Sequence, residues 1–293
     1  MNKPILGIIG GSGLYDIDFL EDRKKLKVHS SWGDSSDEII EGMIGDQKIY
    51  FIARHGKGHK LSPTSINYRA NIDCLKKCNV TDLISISAVG SLKEELPPGS
   101  FVVVDQFIDR TNFREKSYFN EGIIAHVPMA EPTSKILIDL SCNILENLQI
   151  KYKKGGIYIA IEGPQFSTKA ESMLYRSWDA DVIGMTNMPE ARLAREAEIR
   201  YCSVSMVTDY DCWHDDHESV DVEMLIKNLQ ENAEKAKNFI KHLAIEYSKG
   251  LDFESDNTST ILDTSIVTQK DYWDPKIKAK LNSILKRYIK DNK

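Results

Sequence analysis

Two aspartates two positions apart, in Thr208-Asp209-Tyr210-Asp211-Cys212-Trp213, stand near the C-terminal end of the apolar run Ser203 to Val207. Side chains alternate along a strand with period two, so Asp209 and Asp211 project to the same side where the strand ends. Carboxylates that close resist joint ionisation: one holds a proton while the other stays an acceptor. A donor beside an acceptor matches N7 and the exocyclic N6 amine of adenine. A bare D-x-D reads first as a solvated acidic turn, so the other strand ends must decide.

In open α/β sheets, ligands bind beyond the carboxyl ends of the strands. The run Ile5 to Ile9 ends in Gly10-Gly11-Ser12-Gly13, where glycine permits close backbone approach and Ser12 offers a hydroxyl to an anion. Leu14-Tyr15-Asp16 follows in place of the remainder of a dinucleotide fingerprint, which argues against a nicotinamide or flavin cofactor. Arg54-His55-Gly56 follows Ile49 to Ala53 and supplies a forked cation suited to phosphate, unless Arg54 serves a structural ion pair. Ser87-Ala88-Val89-Gly90-Ser91 adds a hydroxyl and backbone N–H groups. Glu162-Gly163-Pro164-Gln165-Phe166-Ser167 places an aromatic at the same edge, where Phe166 either stacks on a purine or fills core. Gly184-Met185-Thr186-Asn187-Met188-Pro189-Glu190 turns a strand into a helix, so its N–H groups and Thr186 can bind an anion or a sugar hydroxyl.

The elements that must position these groups are legible as apolar runs. Leu83 to Ala88, Phe101 to Val104, Ile157 to Ile161, Val182 to Met185 and Cys202 to Val207 join the two runs above as buried parallel strands. Helix-like segments lie between them at Tyr68 to Cys78, Ser134 to Leu148, Lys169 to Trp178 and Glu190 to Ala197. This alternation predicts an α/β fold with a mostly parallel sheet. A long amphipathic helix carrying Leu225, Leu229, Ala233, Ala236, Ile240 and Leu243 runs on to Gly250. Residues 1–250 are expected to form the catalytic unit. Gly250 to Thr260 reads as a linker within a 251–293 tail, and from Asp274-Pro275 a helix with the stripe Ile277, Leu281, Ile284, Leu285 and Tyr288 must bury itself on the body or on a neighbouring subunit.

Composition narrows the class. The 293 residues are 41% hydrophobic and 28% charged, ordinary for a soluble globular protein, and a net charge of −6 argues against nucleic acid or anionic membrane as partners. Five cysteines without a zinc-spaced pair read as reduced thiols in a cytoplasmic protein. No stretch approaches membrane length.

The glycine loop at Gly10, Ala53-Arg54-His55-Gly56, His126-Val127-Pro128-Met129-Ala130-Glu131-Pro132, Glu162 to Ser167 and Thr208 to Trp213 together closely resemble the 5'-methylthioadenosine phosphorylases of the trimeric purine nucleoside phosphorylase family, in unbroken motif order from about Pro4 to Gly250. That resemblance implies a single-domain mixed α/β fold with a distorted central sheet flanked by helices. It implies phosphate binding by Ser12, Arg54, His55, Ser87, Ala88 and Thr186, a ribose contact from Met185, and a base site of Phe166, Ser167, Asp209 and Asp211. His126 corresponds to a residue that reaches a neighbour's site near the 5' substituent, in a homotrimer or a hexamer of paired trimers, and Val222 and Leu225 correspond to that site's apolar lining. Ser87 stands where animal members carry Thr, and Gln165 where many carry Arg. The tail after Gly250 departs from the animal pattern.

The implied chemistry is phosphorolysis of an N-glycosidic bond with no metal and no cofactor, inorganic phosphate being a co-substrate. A protonated Asp209 would donate to N7 and Asp211 would accept from N6. The near rivals are phosphorylases of adenosine and of methylthioinosine or 6-oxopurine nucleosides, the last two typically carrying Asn in place of the first aspartate. A nucleosidase would leave Arg54 and Ser87 unexplained, and a plain nucleotide-binding module would leave the carboxylate pair uncompensated beside an anion.

Overall fold

In a computed structural model, the structure describes residues 4–15, 17–214 and 222–291. Its strands are β1 (Leu6–Gly10), β2 (Glu21–Leu26), β3 (Ile39–Ile44), β4 (Gln47–Ala53), β5 (Asp82–Ser91), β6 (Phe101–Val104), β7 (Gln106–Asp109), β8 (Asn120–Glu121), β9 (Ile123–Ile124), β10 (Tyr152–Lys154), β11 (Ile157–Ala160), β12 (Val182–Gly184) and β13 (Arg200–Tyr210). The helices are α1 (Tyr68–Lys77), α2 (Lys135–Asn147), α3 (Lys169–Ser177), α4 (Asn187–Glu196), α5 (Val222–Ser248), α6 (Pro275–Lys280) and α7 (Lys286–Asp291).

Eleven strands form one mixed sheet in the order β10-β6-β13-β5-β1-β4-β3-β2, with β12, β11 and β7 branching from β5. The branch is what distorts the sheet. β5 runs parallel to β1 and β13 along most of its length, but its last residues Gly90 and Ser91 also pair antiparallel with Ile183 and Val182 of β12. β13 absorbs the resulting curvature by a bulge between Val207 and Asp209.

Period-two alternation sorts the strand side chains onto two faces. Ile9, Tyr50, Ile52, Tyr201 and Val207 join a core with Ile72 and Leu75 of α1 and Ala191 and Ala194 of α4. Leu6, Ile8, Phe51, Cys202, Val204 and Met206 join another with α2 and the α5 residues Ala236, Phe239, Ile240 and Leu243. The edge strand β2, Glu-Asp-Arg-Lys-Lys-Leu, is exposed through its first five residues, and its charges discourage edge-to-edge pairing.

The tail differs from its expected form. The single helix is replaced by two short ones, α6 and α7, which carry only Ile277 and Tyr288 of the stripe, while Leu281, Ile284 and Leu285 lie in the turn between them, fully buried in the core shared with α1 and α4. The chain's own body therefore covers these residues. Asp274 caps α6 through backbone N–H groups of Lys276 and Ile277, with Pro275 in the first turn.

Candidate active site

The carboxyl ends of β1, β4, β5 and β13 open on one cavity of about 580 Å³. It gathers every anion-binding candidate, Ser12, Arg54, His55, Ser87, Ala88 and Thr186, and every base and ribose candidate, Phe166, Ser167, Met185, Asp209 and Asp211. His126 does not line it: that side chain is exposed, and its backbone N–H is bonded to Ser265 O at 2.8 Å. The side chains of Val222 and Leu225 lie outside the described residues, while Leu229, one turn further along α5, does line the cavity.

At the first pole the backbone of Gly11 passes so close to its neighbours that a Cβ there would come within 2.7 Å of Arg54 Nη1 and of Ile86 O. Arg54 is completely buried and is not the unpaired cation that a phosphate clamp suggests. Its Nε and Nη2 donate to Glu190 at 2.8 and 3.1 Å, Nη2 also donates to Ser85 Oγ at 2.6 Å, and Nη1 donates to Ile86 O at 3.1 Å. Burial opposes its charge, but the Glu190 carboxylate more than offsets this and keeps the guanidinium protonated. Ser87 and His55 are 2% and 5% exposed. Burial pushes the His55 ring down to about 4, so it is neutral at pH 7, and Nδ1 donates to Leu61 O at 2.9 Å. The ring of His59 stacks on it with centroids 4.1 Å apart.

The second pole is organised by Gly90. A Cβ at that position would approach Asp209 Oδ1 to 3.1 Å and Asp211 Cβ to 3.4 Å, so the i, i+2 carboxylates do converge on one side. The bulge keeps them there. Asn232 and Asn228 of α5 donate to the carbonyls of Val207 and Thr208 at 2.8 and 2.9 Å, satisfying the backbone where the ladder is interrupted. Trp213 pins the far end, donating Nε1 to Ser91 O at 2.8 Å beneath the Arg176 guanidinium. Thr208 Oγ1 donates to Asp209 Oδ2 at 2.6 Å. Burial raises the Asp211 carboxyl above its ordinary value, against the Ser172 hydroxyl and the Cys212 N–H. Asp211 Oδ2 and Ser167 Oγ are both buried without a hydrogen-bond partner in the protein. Phe166 stands 73% exposed at the mouth, so it is not core.

Between the poles lies Met185, half-buried, its carbonyl held by Arg114 Nη1. Arg114 was not singled out from sequence, yet it ties the loops together: it also reaches Met188 O at 2.8 Å, Glu162 O at 2.7 Å and Glu162 Oε1 at 3.1 Å. Backbone N–H groups of Asn112 and Phe113 with Thr64 and Arg114 overcome the burial of Glu162 and hold its carboxyl down at about 2. Glu190, Gly90, Thr208, Tyr15 and His59 are further site residues that sequence reasoning passed over. A signal existed only for Glu190, an acid in the first turn of a helix that follows a proline.

The poles sit three residues apart on one strand, Ser87 and Gly90 of β5, or roughly 10 Å at the rise of a β-strand. That separation leaves room for a sugar between an anion and a planar base. Among the described residues no three potential metal ligands come together, and no helix is long and apolar enough to cross a membrane.

A sequence profile described as Phosphorylase superfamily matches residues 5–245. The S-methyl-5'-thioadenosine phosphorylase of Rhodospirillum rubrum is 51% identical over 287 residues, covering 98% of each chain. The enzyme of that name from Bradyrhizobium diazoefficiens is 49% identical and covers 99% of this chain and 100% of its own. Among solved structures, a methylthioadenosine phosphorylase from an antarctic soil metagenomic library superposes with a TM-score of 0.88 at 40% identity, covering 97% of this chain and 100% of its own. The Schistosoma mansoni methylthioadenosine phosphorylase in complex with adenine gives 0.86 at 31% identity, covering 90% and 99%. On the matched residues, the fold and the near full-length identity, this chain belongs to the phosphorylase superfamily, among the S-methyl-5'-thioadenosine phosphorylases.

Proposed function

We propose that this chain catalyses the reversible phosphorolysis of 5'-methylthioadenosine to adenine and 5-methylthioribose 1-phosphate. The observation that carries the reading is the spacing of two unlike poles on β5, an anion pole at Ser87 and a paired-carboxylate pole at Gly90. Phosphate sits against Ser12, Arg54, His55, Ser87, Ala88 and Thr186, and one of its oxygens attacks the anomeric carbon of an oxocarbenium-like ribosyl group beside Met185. The base lies against Phe166 and Ser167. Its departure is assisted by a proton from the Asp209 and Asp211 pair, one member donating to N7 while the other accepts from N6.

Sequence alone suggests Asp209 as the proton donor. Deeper burial of Asp211 and the Thr208 hydroxyl on Asp209 favour the proton resting on Asp211 before the base binds. Base binding then either passes the proton to Asp209 or makes Asp211 the group facing N7. In both cases, two carboxylates around an amino purine favour adenine over 6-oxopurine nucleosides.

We assign the active form as a homotrimer, or two trimers paired as a hexamer, in which the exposed His126 loop serves a neighbouring protomer's site. Residues 1–250 form the phosphorylase unit and 251–293 a strap against it. The decisive experiment measures adenine release from 5'-methylthioadenosine and from adenosine with and without phosphate. Strict phosphate dependence and formation of a pentose 1-phosphate are expected. Full activity in phosphate-free buffer would replace this reading with a nucleosidase.

A further inference from the structure

We propose that the anion pole recognises its oxyanion by the protons that the anion carries, with Ser87 Oγ and His55 Nε2 meeting it as acceptors. The site therefore takes hydrogen phosphate or hydrogen arsenate and discriminates against sulfate. This inference rests on the phosphorolysis reading and names what that site selects.

The argument begins at Glu190, 1% exposed, whose carboxylate can only accept. Besides Arg54 it receives Ser85 Oγ at 2.6 Å and Tyr201 OH at 2.9 Å, so the protons of both hydroxyls are committed to it. Their oxygens are left as acceptors. Asn187 serves them, with Nδ2 2.6 Å from Tyr201 OH, 3.2 Å from Ser85 Oγ and 2.9 Å from Ser203 Oγ. That settles which way the amide faces: its NH₂ points into this network and Oδ1 points the other way. Oδ1 accepts from Ser87 Oγ at 3.0 Å. The single proton of Ser87 is thereby used, and only lone pairs remain to face the cavity that the residue lines.

His55 reaches the same state by a separate route. Leu61 O can only accept, so Nδ1 carries a proton, and burial keeps the ring from taking a second near neutral pH. Nε2 is then a lone pair. Two acceptors suit an anion that bears hydrogen. Sulfate at neutral pH bears none: to bind it, Ser87 would have to turn its proton away from Asn187, orphaning a buried oxygen, and His55 would have to protonate. Asn187 is a positioning residue in this scheme, acting on the anion through Ser87, and Glu190 acts through Asn187 as well as through Arg54.

The test uses the intact enzyme, with adenine release as the readout and inorganic phosphate, arsenate and sulfate as probes. Arsenate is expected to replace phosphate with a similar KM. Sulfate is expected to compete only with a Ki on the order of tenfold above the phosphate KM, the worth of the one acceptor contact that the single proton of hydrogen phosphate satisfies. In Ser87→Ala the phosphate KM should rise about tenfold while the sulfate Ki stays or falls. Ser87→Thr, which keeps the hydroxyl, should retain the parent's discrimination. Sulfate competing within about threefold of the phosphate KM, or Ser87→Ala weakening both anions in parallel, would overturn the acceptor assignment while leaving phosphorolysis standing. Adenine release indifferent to phosphate and arsenate would overturn both readings.

Discussion

Arg54 and Glu190, 136 positions apart, meet as a forked ion pair with side chains 0% and 1% exposed. The arginine at the anion pole is thus neutralised from behind, and its environment is set by Glu190 in the first turn of α4 rather than by solvent. Breaking such a pair on one side costs about 3–5 kcal/mol, because the partner is left charged and buried. Glu190→Gln is therefore expected to lower the urea midpoint markedly at an unchanged slope. Arg54→Ala is expected to damage folding before it reveals any phosphate phenotype, whereas a simple phosphate clamp would show an altered KM at normal stability.

The converging carboxylates give a specificity test. Asp209→Asn removes a titrating donor and supplies an amide whose NH₂ can face an oxo group. Cleavage of adenine nucleosides should fall, and some cleavage of inosine-type substrates should appear. Unchanged preference in competition assays would remove Asp209 from base recognition.

Asp211 links the site to pH. Its folded carboxyl is raised above the unfolded value, so its contribution favours the folded state most at low pH and is lost as pH rises through the folded value. Asp211→Asn removes that cost. The variant should be more stable than the parent near pH 7.5 and the gap should close toward pH 4, while adenine release declines. Denaturation midpoints at several pH values check this, and a gap that widens on acidification would contradict it.

Gly90→Ala would place a methyl group 3.1 Å from both Asp209 Oδ1 and Ile183 Cγ2. Overpacking of this kind costs about 1–3 kcal/mol. The penalty should fall on the nucleoside KM, raised about tenfold, with the phosphate KM nearly unchanged. Equal changes in both would mean that the poles are not independent.

His126 supplies the assembly test. His126→Ala should impair use of the methylthio nucleoside, and mixing it with an Asp209→Ala chain should restore activity at sites that pair the sound Asp209 of one protomer with the sound His126 of another. A mixture no more active than its parents, or a monomer by light scattering, would mean that each site is built from one chain.

The sequence reading succeeded where a strand is buried on both faces. β1, β4, β6 and β13 are apolar runs because helices cover both sides of them, and their ends could then be searched for chemistry. It failed on β2, whose charges are an edge strand's protection and carry no apolar signal, and on β10, only Tyr152–Lys154. Each cavity group named from a strand end lines the cavity, since a parallel sheet leaves its loops at one edge. What stayed hidden was pairing over long separations: the possible ion pair of Arg54 was foreseen, but not Glu190 as its partner, nor Asn187 behind Ser87. The Thr208 bulge was hidden too, because it follows from the neighbouring strands.

Both poles stand on one continuous strand with three peptide steps between them. Hinges and domain closures adjust a gap between separate bodies, but here the rise of β5 and its pairing with β13 fix it, so this enzyme carries a ruler rather than a clamp. Substituents that point away from the line joining base to phosphate can vary, whereas a substrate one atom longer between the anomeric carbon and the base finds no compliant wall. Inserting or deleting one residue between Ser87 and Gly90 would shift the scale by about 3.3 Å and flip the face presented to the cavity. Altering the reach of this site therefore means exchanging the whole strand, and point changes around the rim would alter only what is tolerated beyond the ends of the scale.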